Sequence, residues 1–207
     1  MATSVLGAII AGGLSSRFGS PKALARVDGR RVIDRVTDAL YGVTPRVVAI
    51  VNDPTLAATF GLPHRGDVHA GAGPIAGLHA ALAWAEEDGF DAALALACDL
   101  PFVPTSLLEM LCVTAAQTQA DAILPESDGP RGMEPLCAWY STRCLPAVRS
   151  ALERGDHRLI GFHSAVHVAR LPLDRVRECG DPALLFANLN TPMDRDRADR
   201  VARSGRE

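Results

Sequence analysis

Residues 5–24 read VLGAIIAGGLSSRFGSPKAL, an apolar run that leads into a glycine-rich, basic loop. The apolar run predicts a buried strand. The glycines Gly12 and Gly13 let a ligand approach the main chain closely, because they carry no side chain. Arg17 and Lys22 add two positive charges to the N–H donors of the loop. This combination favours the binding of a polyphosphate.

The loop departs from the two common phosphate-binding spacings. In a Walker loop the lysine directly follows the last glycine, whereas Pro21 precedes Lys22 here. The G-x-G-x-x-G spacing of dinucleotide-binding folds is also absent. The alternative interpretation is a glycine-rich turn in which Arg17 and Lys22 are merely solvated.

The composition is that of an ordinary soluble protein. Of the 207 residues, 48% are hydrophobic and 22% are charged, and the length predicts a single domain over residues 1–203 with a frayed end at 204–207. The net charge of -3 argues against a nucleic-acid partner, and no apolar run is long enough to cross a bilayer. The N-terminus lacks the pattern of a signal peptide, and the five cysteines include no C-x-x-C pair. A cytoplasmic protein with reduced thiols is therefore expected.

Two polar residues flank segments that are expected at the binding edge of an α/β sheet. Asn52 follows the β-branched run at residues 47–51, and the alternative for it is an Asx turn before Pro54. Asp67 precedes GAGPIAGL at residues 71–78, a glycine-rich segment that predicts the start of a helix. The alternative is a tight helix start without a ligand.

A third polar residue, Asp99, follows the wholly apolar residues 92–97. Such a run predicts a strand that is buried on both faces of a parallel sheet. Mg²⁺ takes one or two carboxylates and shares its other positions with phosphates and water, so Asp99 is a candidate magnesium ligand. The alternative is a carboxylate that caps a turn before Pro101.

Several segments resemble the signature of one family. They are IAGG with the following RFG and KAL (residues 10–24), GPIAG (73–77), CDLP (98–101) and NLNTP (188–192). Together they resemble the MobA-like nucleotidyltransferases, in particular the molybdenum cofactor guanylyltransferase family, over nearly the whole chain. Pro21 departs from the family pattern, in which many members have aspartate before the loop lysine.

The resemblance implies a reaction in which the terminal phosphate of molybdopterin attacks the α-phosphorus of GTP. The products are molybdopterin guanine dinucleotide and pyrophosphate. Arg17 and Lys22 would stabilise charge on the transferring and leaving groups, and Asp99 and Asn190 would hold Mg²⁺. A phosphate nucleophile is already an anion and needs no general base, so charge neutralisation is the main catalytic task. The implied nucleotide contacts are Ile10, Ala11, Gly12, Gly13, Lys22, Asn52, Asp67 and Asp99.

The acceptor side is the least specific part of the resemblance. Two polar loops occupy acceptor-side positions in the family and contain Arg131 and Arg158, which are candidate partners of the molybdopterin phosphate. Asn188 is a third candidate, and the resemblance does not decide whether Asn188 or Asn190 contacts the metal. The alternative for both arginines is a solvated surface charge.

Strands and helices alternate along the chain. This pattern predicts a three-layer α/β/α sandwich with a Rossmann-like, mostly parallel sheet and one antiparallel strand late in the chain. The resemblance implies the same fold, that of the nucleotide-diphospho-sugar transferases. Locally, Ser106 and Glu109 predict a capping box at a helix start. Residues 186–190 predict the end of a strand, after which Thr191 caps a helix.

Three rival functions remain at this stage. The first is the same chemistry with CTP, against which Gly13 and Gly77 argue, since the second loop glycine is usually alanine in the cytidylyltransferase relatives. The second is a sugar or isoprenoid nucleotidyltransferase. The third is a non-catalytic molybdenum cofactor carrier, although an inert homologue would often have lost Lys22 or Asp99. The family also implies transient contacts with cofactor-insertion proteins and molybdoenzymes, and the residues do not indicate an oligomeric state.

Overall fold

The computed structural model describes residues 3–11, 22–69, 71–189 and 191–204. The strands, numbered along the chain, are β1 (Val5–Ile10), β2 (Arg26–Val27), β3 (Arg30–Arg31), β4 (Val47–Ile50), β5 (His64–Arg65), β6 (Ala92–Ala97), β7 (Ala122–Pro125), β8 (Cys137–Ser141) and β9 (Val168–Leu171). The α-helices are α1 (Val32–Tyr41), α2 (Pro54–Ala58), α3 (Pro74–Glu87), α4 (Thr105–Gln117), α5 (Leu145–Glu153), α6 (Leu173–Arg177), α7 (Pro182–Leu185) and α8 (Pro192–Ser204). Single 3₁₀ turns lie at Lys22–Leu24, Thr142–Cys144 and His163–Ala165.

One sheet runs through the described part of the chain in the order β5-β4-β1-β6-β8-β7-β9. The pairs β1–β4, β1–β6, β4–β5 and β7–β9 are parallel, whereas β8 is antiparallel to both of its neighbours. β2 and β3 form a separate two-stranded hairpin. The predicted mostly parallel sheet with one antiparallel strand is confirmed.

Two hydrophobic clusters lie on opposite faces of this sheet. Alternate residues of β6 point to opposite faces, so Leu94 and Leu96 pack against α1 and α4, whereas Ala93 and Ala95 pack against α3 and α5. Small alanine side chains let α3 approach the central strands closely. The helices therefore form a layer on each face, and the predicted three-layer α/β/α sandwich is confirmed.

Some local predictions differ from the structure. α4 begins at Thr105 with Pro104 as its N-cap, and no side chain caps it, so the capping box of Ser106 and Glu109 is wrong. Pro104 has an extended backbone and precedes the first turn, so the helix begins two residues earlier than it would with Ser106 as its N-cap. Residues 186–189 are not part of a strand, since they follow the short helix α7 directly.

Two other helix starts follow local capping chemistry. The Asp53 carboxylate accepts hydrogen bonds from the N–H groups of Thr55 and Leu56 and so begins α2, which the sequence had presented only as a turn. The predicted cap at Thr191 is present, because Thr191 and Asp194 exchange side-chain to main-chain hydrogen bonds of 2.8 and 3.1 Å. No helix in the described ranges has both the length and the apolar character needed to cross a membrane.

Candidate active site

The parallel strands β1, β4 and β6 end at a common edge of the sheet. Main-chain hydrogen bonds tie these ends together, from Ala11 N–H to the Ile50 carbonyl (2.9 Å) and from Cys98 N–H to the Ile10 carbonyl (3.2 Å). α1 and α3 leave this region over opposite faces of the sheet. The strand order therefore changes direction at β1, and α/β proteins bind ligands in the crevice that such a change creates.

A cavity of about 730 Å³ opens at this edge. Its volume lies within the range typical of small-molecule sites. It brings together most of the predicted site residues for which coordinates are described, namely Ile10, Ala11, Lys22, Asp99, Arg131, Arg158 and Asn188. Gly12, Gly13, Arg17 and Asn190 lie outside the described residues.

The centre of the cavity wall carries an ion pair between Lys22 and Asp99. The Lys22 Nζ and the Asp99 Oδ2 are 3.6 Å apart, and the two side chains are only 23% and 18% exposed. Burial raises the pKa of the Asp99 carboxyl, and the charge of Lys22 partly opposes this rise. The Asp99 carboxylate is therefore incompletely neutralised, and a further cation beside it would lower its energy.

Asp99 also suits a divalent metal ion whose remaining ligands come from a substrate. In the described residues, no group of three or more histidine, cysteine or acidic side chains could hold a metal ion. One carboxylate at a strand end matches the way Mg²⁺ binds nucleotides, with phosphates and water filling its other positions. The segment before Asn190 reaches this place, since Leu189 N–H donates to the Asp99 carbonyl at 3.2 Å.

Asn52 and Asp67 lie at a smaller pocket on the β4 side of the edge, which they line together with Ile10, Gly73 and Gly77. The Asn52 amide donates to the Asp67 Oδ2, and the Asp67 N–H donates to the Asn52 Oδ1, both at 2.8 Å. The Asn52 side chain therefore pairs with Asp67 and does not form the alternative Asx turn, because Asp53, the next residue, caps α2.

The smaller pocket is tightly enclosed by α3. A Cβ atom added at Gly77 would lie 2.7 Å from the Ile10 Cγ2, and one added at Gly66 would lie 2.8 Å from the Asn52 Oδ1. Both distances are far below normal carbon and oxygen contacts. Glycine is therefore required at these two positions to keep the helix and the Asn52–Asp67 pair in place.

The two acceptor-side arginines have different surroundings. The guanidinium of Arg158 donates to both carboxylate oxygens of Asp156, at 2.9 and 2.8 Å. These hydrogen bonds lower the pKa of Asp156 to about 2 and raise that of Arg158. Arg131 lines the same cavity, and none of the ion pairs of the described residues involves its side chain. Arg131 is thus the more available partner for an anionic acceptor.

The structure adds cavity residues that the sequence had not singled out for the site. Glu134 lies just before the antiparallel strand β8, and the side chains of His157, Leu159 and Ile160 line the cavity beside Arg158. The antiparallel direction of β8 could have indicated Glu134, because the start of such a strand lies at the edge where the parallel strands end. The sequence spacing of His157 carries no signal of its position at the cavity.

Cys98 directly precedes Asp99 but is not a reactive group. Burial raises the pKa of its thiol to about 12. A thiol with such a pKa stays protonated at neutral pH and is a poor nucleophile. Cys98 packs against the hydrophobic core as a small apolar side chain.

Comparison with known proteins gives the same picture. Residues 7–168 match the family model of the MobA-like NTP transferase domain. The molybdenum cofactor guanylyltransferase of Desulfosudis oleivorans is 32% identical over 204 residues, which cover 98% of each chain. That of Rhodopseudomonas palustris is 34% identical over 199 residues, which cover 94% of this chain and 92% of the relative.

A solved structure extends the comparison to three dimensions. The crystal structure of molybdopterin-guanine dinucleotide biosynthesis protein A from Archaeoglobus fulgidus is 27% identical and has a TM-score of 0.80, covering 96% of this chain and 98% of the other. The family model spans more than half of the chain, and the relatives match it almost from end to end. This chain therefore belongs to the MobA-like NTP transferase domain family.

Proposed function

We propose that this chain is a molybdenum cofactor guanylyltransferase. It transfers GMP from GTP to the terminal phosphate of molybdopterin and releases pyrophosphate. The observation that carries the proposal is the partly neutralised Lys22–Asp99 pair in the cavity at the carboxyl edge of the sheet. The family membership and the guanylyltransferase names of the relatives support the choice of nucleotide and acceptor.

The residues of the cavity divide the catalytic work by charge. Lys22 donates to phosphate oxygens and neutralises charge on the leaving pyrophosphate. Asp99 would hold Mg²⁺, with Asn190 as a further ligand, and the bound ion would supply positive charge between the two reacting phosphates. The attacking phosphate is already an anion, so the chain needs no side chain that removes a proton. In the same proposal, Arg17 is a further cation that stabilises the negative charge of the triphosphate.

The nucleotide and the acceptor enter from different sides of Asp99. Asn52 and Asp67 contact the nucleotide on the β4 side, together with Ile10, Ala11, Gly12 and Gly13 of the first loop. Arg131 contacts the phosphate of the acceptor on the β8 side, and Arg158 and Asn188 belong to the same wall. In this proposal the two phosphate groups lie on either side of the carboxylate that would bind the metal.

The test is GMP transfer with purified components. The protein is incubated with Mg²⁺, molybdopterin and either GTP, CTP or ATP labelled at the α-phosphate. We expect the dinucleotide product with GTP well ahead of CTP and ATP, and no transfer after chelation of the metal. Preferential transfer from CTP would make the chain a cytidylyltransferase. Tight binding of the finished cofactor without any transfer would make it a carrier.

The cellular setting is part of the proposal. All five cysteines are free thiols in the structure, which fits a reducing compartment such as the cytoplasm. Short-lived contacts with cofactor-insertion proteins and molybdoenzymes would carry the product onward. We also propose that the chain is a single domain over residues 1–203, because one sheet connects strands from residue 5 to residue 171.

A further inference from the structure

We propose that Glu134 recognises the amino-oxo pyrimidine edge of the pterin ring of the acceptor. The inference rests on the proposed function and adds to it a residue that selects the acceptor. The pterin edge presents an exocyclic amino group beside a ring N–H. A carboxylate has two acceptor oxygens that match these two donors.

Glu134 is held firmly at the cavity. The Ser127 hydroxyl, itself buried, donates to the Glu134 Oε1 at 2.8 Å. The Glu134 N–H donates to the Pro125 carbonyl at 3.1 Å, and an isolated bridge pairs Glu126 with Met133 in the same loop. These contacts fix the carboxylate before any ligand arrives, which is what a recognition group needs.

The main chain that follows Glu134 is anchored as well. The buried hydroxyl of Tyr140 donates to the Pro135 carbonyl at 2.8 Å, and the Ala97 N–H donates to the Leu136 carbonyl at 2.8 Å. Ala97 is the last residue of β6, two residues before Asp99. Glu134 lies just before β8 and Asp99 just after β6, so the recognition group and the proposed metal ligand lie at adjacent ends of two paired strands.

The Glu134 carboxylate is short of hydrogen-bond donors. Ser127 occupies Oε1, and no described group donates to Oε2. Burial raises the pKa of Glu134, although the Ser127 hydroxyl and the charge of Arg131 lower it in part. Two N–H groups from a ligand would donate to this carboxylate and compensate part of the solvation that burial removes.

The surroundings of Glu134 fit the rest of a pterin phosphate. Leu136, Leu159 and Ile160 line the same cavity and offer apolar surface to the faces of a flat ring. Arg131, three residues before Glu134, supplies a positive charge for the phosphate end. One wall thus carries a carboxylate for the ring edge, apolar groups for the ring faces and a cation for the phosphate.

Guanine has the same amino-oxo edge, so the two bases must be distinguished by position. Asn52 follows β4, and Glu134 precedes β8, three strands away in the sheet. At about 4.8 Å between neighbouring strands, the lateral separation is roughly 14 Å. A single purine ring cannot span that distance, so a guanine beside Asn52 and Asp67 leaves Glu134 to the pterin.

The experiment exchanges the amino group for an oxo group in both ligands. Binding of the phosphate esters of 6-hydroxymethylpterin and 6-hydroxymethyllumazine is measured by fluorescence titration, and transfer from GTP is compared with transfer from XTP. The wild-type protein should bind the pterin at least about tenfold more tightly than the lumazine. In the lumazine an oxo group, which can only accept a hydrogen bond, replaces the amino group that would donate to the Glu134 carboxylate.

Glu134→Gln should remove or reverse this preference. The Ser127 hydroxyl keeps the amide oxygen in place, so the amide nitrogen faces the ligand and pairs with the oxo group. The preference for GTP over XTP should not change. The matched control is Glu126→Gln in the same loop, where the carboxylate accepts from Leu173 N–H and does not line the cavity. It should keep both preferences.

Each outcome decides between distinct claims. Equal binding of pterin and lumazine by the wild-type protein would overturn the inference, and this test needs no variant. An unchanged preference for pterin in a folded Glu134→Gln protein would overturn it as well. A changed GTP-to-XTP ratio would assign Glu134 to guanine instead. Failure of wild type to transfer GMP from GTP to molybdopterin would overturn the proposed function itself. A melting curve shows whether the Glu134→Gln protein is folded. The second variant is Glu134→Asp, whose shorter side chain should weaken pterin binding.

Discussion

At the scale of single residues, Asp99 combines its proposed role as a metal ligand with an unfavourable position for the fold. Asp99→Asn keeps the shape of the side chain but removes the charge proposed to hold the metal ion. We expect the rate of GMP transfer to fall on the order of 10²-fold or more. Excess Mg²⁺ should restore part of the activity. Turnover measured against Mg²⁺ concentration tests this expectation, and wild-type turnover in the variant at low Mg²⁺ would contradict it.

The same substitution should affect stability in a pH-dependent way. Burial holds the pKa of Asp99 above its ordinary value in the folded chain. Such a group stabilises the fold below its unfolded pKa, and this contribution is lost as the pH rises through the folded pKa. Asp99→Asn should therefore raise the melting temperature at pH 7. The gain should shrink as the pH falls through the raised pKa of the folded state, and it should vanish below the unfolded pKa of about 4. A lower melting temperature at pH 7 would mean that the attraction to Lys22 outweighs the effect of burial.

A comparison of two arginines tests the acceptor wall. Arg131→Ala should raise the KM for molybdopterin by about tenfold and leave the KM for GTP unchanged, since it removes a charge-assisted hydrogen bond. Arg158→Ala should have the smaller effect, because Asp156 already neutralises that guanidinium. Steady-state kinetics with each substrate varied in turn provide the measurement. Equal effects of the two substitutions would contradict the ranking.

Residue types in the sequence were sufficient to select Asp99 and Lys22 as candidates, and the structure places both on one cavity. They were not sufficient for Glu134, because its place at that cavity depends on the reversed direction of β8 and on the hydroxyl of Ser127. The difference between Arg131 and Arg158 also depends on a contact, the pair with Asp156, that residue types alone do not specify. The sequence pattern thus indicated which strand ends carry candidate polar residues, whereas the contacts between neighbouring loops were visible only in the structure.

At the scale of elements, the packing of α3 against β1 shapes the nucleotide side. Gly77→Ala would place a methyl group against the Ile10 Cγ2. We expect a loss of about 1–3 kcal/mol in the free energy of unfolding, despite the higher helix propensity of alanine. The KM for GTP should rise as the helix moves away. Denaturant titration gives the first quantity and steady-state kinetics the second.

A double-mutant cycle with Ile10→Ala isolates the cause. If the clash with Ile10 is responsible, the two substitutions together should destabilise the fold by less than the sum of their separate effects. Strict additivity would show that Gly77 is required for another reason.

The central elements were predictable from sequence because their apolar runs are long. α2 was not, since five residues carry no periodic pattern and only the Asp53 cap defines it.

At the scale of the whole molecule, the two tryptophans report on opposite layers of the sandwich. Trp139 belongs to the cluster packed with α1 and α4, whereas Trp84 packs against the cluster on the other face and stacks under the Arg65 guanidinium at 4.4 Å. Trp84→Phe and Trp139→Phe each leave a single tryptophan that reports on one layer. In each variant, the unfolding midpoint from tryptophan fluorescence should coincide with the midpoint from circular dichroism. Separate transitions would contradict a single cooperative domain.

The ion pair between Lys22 and Asp99 has a consequence for the order in which ligands assemble. The two opposite charges attract each other across 3.6 Å, so a divalent ion or a triphosphate that arrives alone must compete with an existing attraction. With both ligands bound, the ammonium would face the phosphates and the carboxylate would face the ion, so neither would lose its counter-charge. Nucleotide and metal should accordingly be heterotropic partners, each tightening the other by the same factor. Calorimetric titration of Mg²⁺ with and without GTP measures that factor, and Lys22→Met should reduce it.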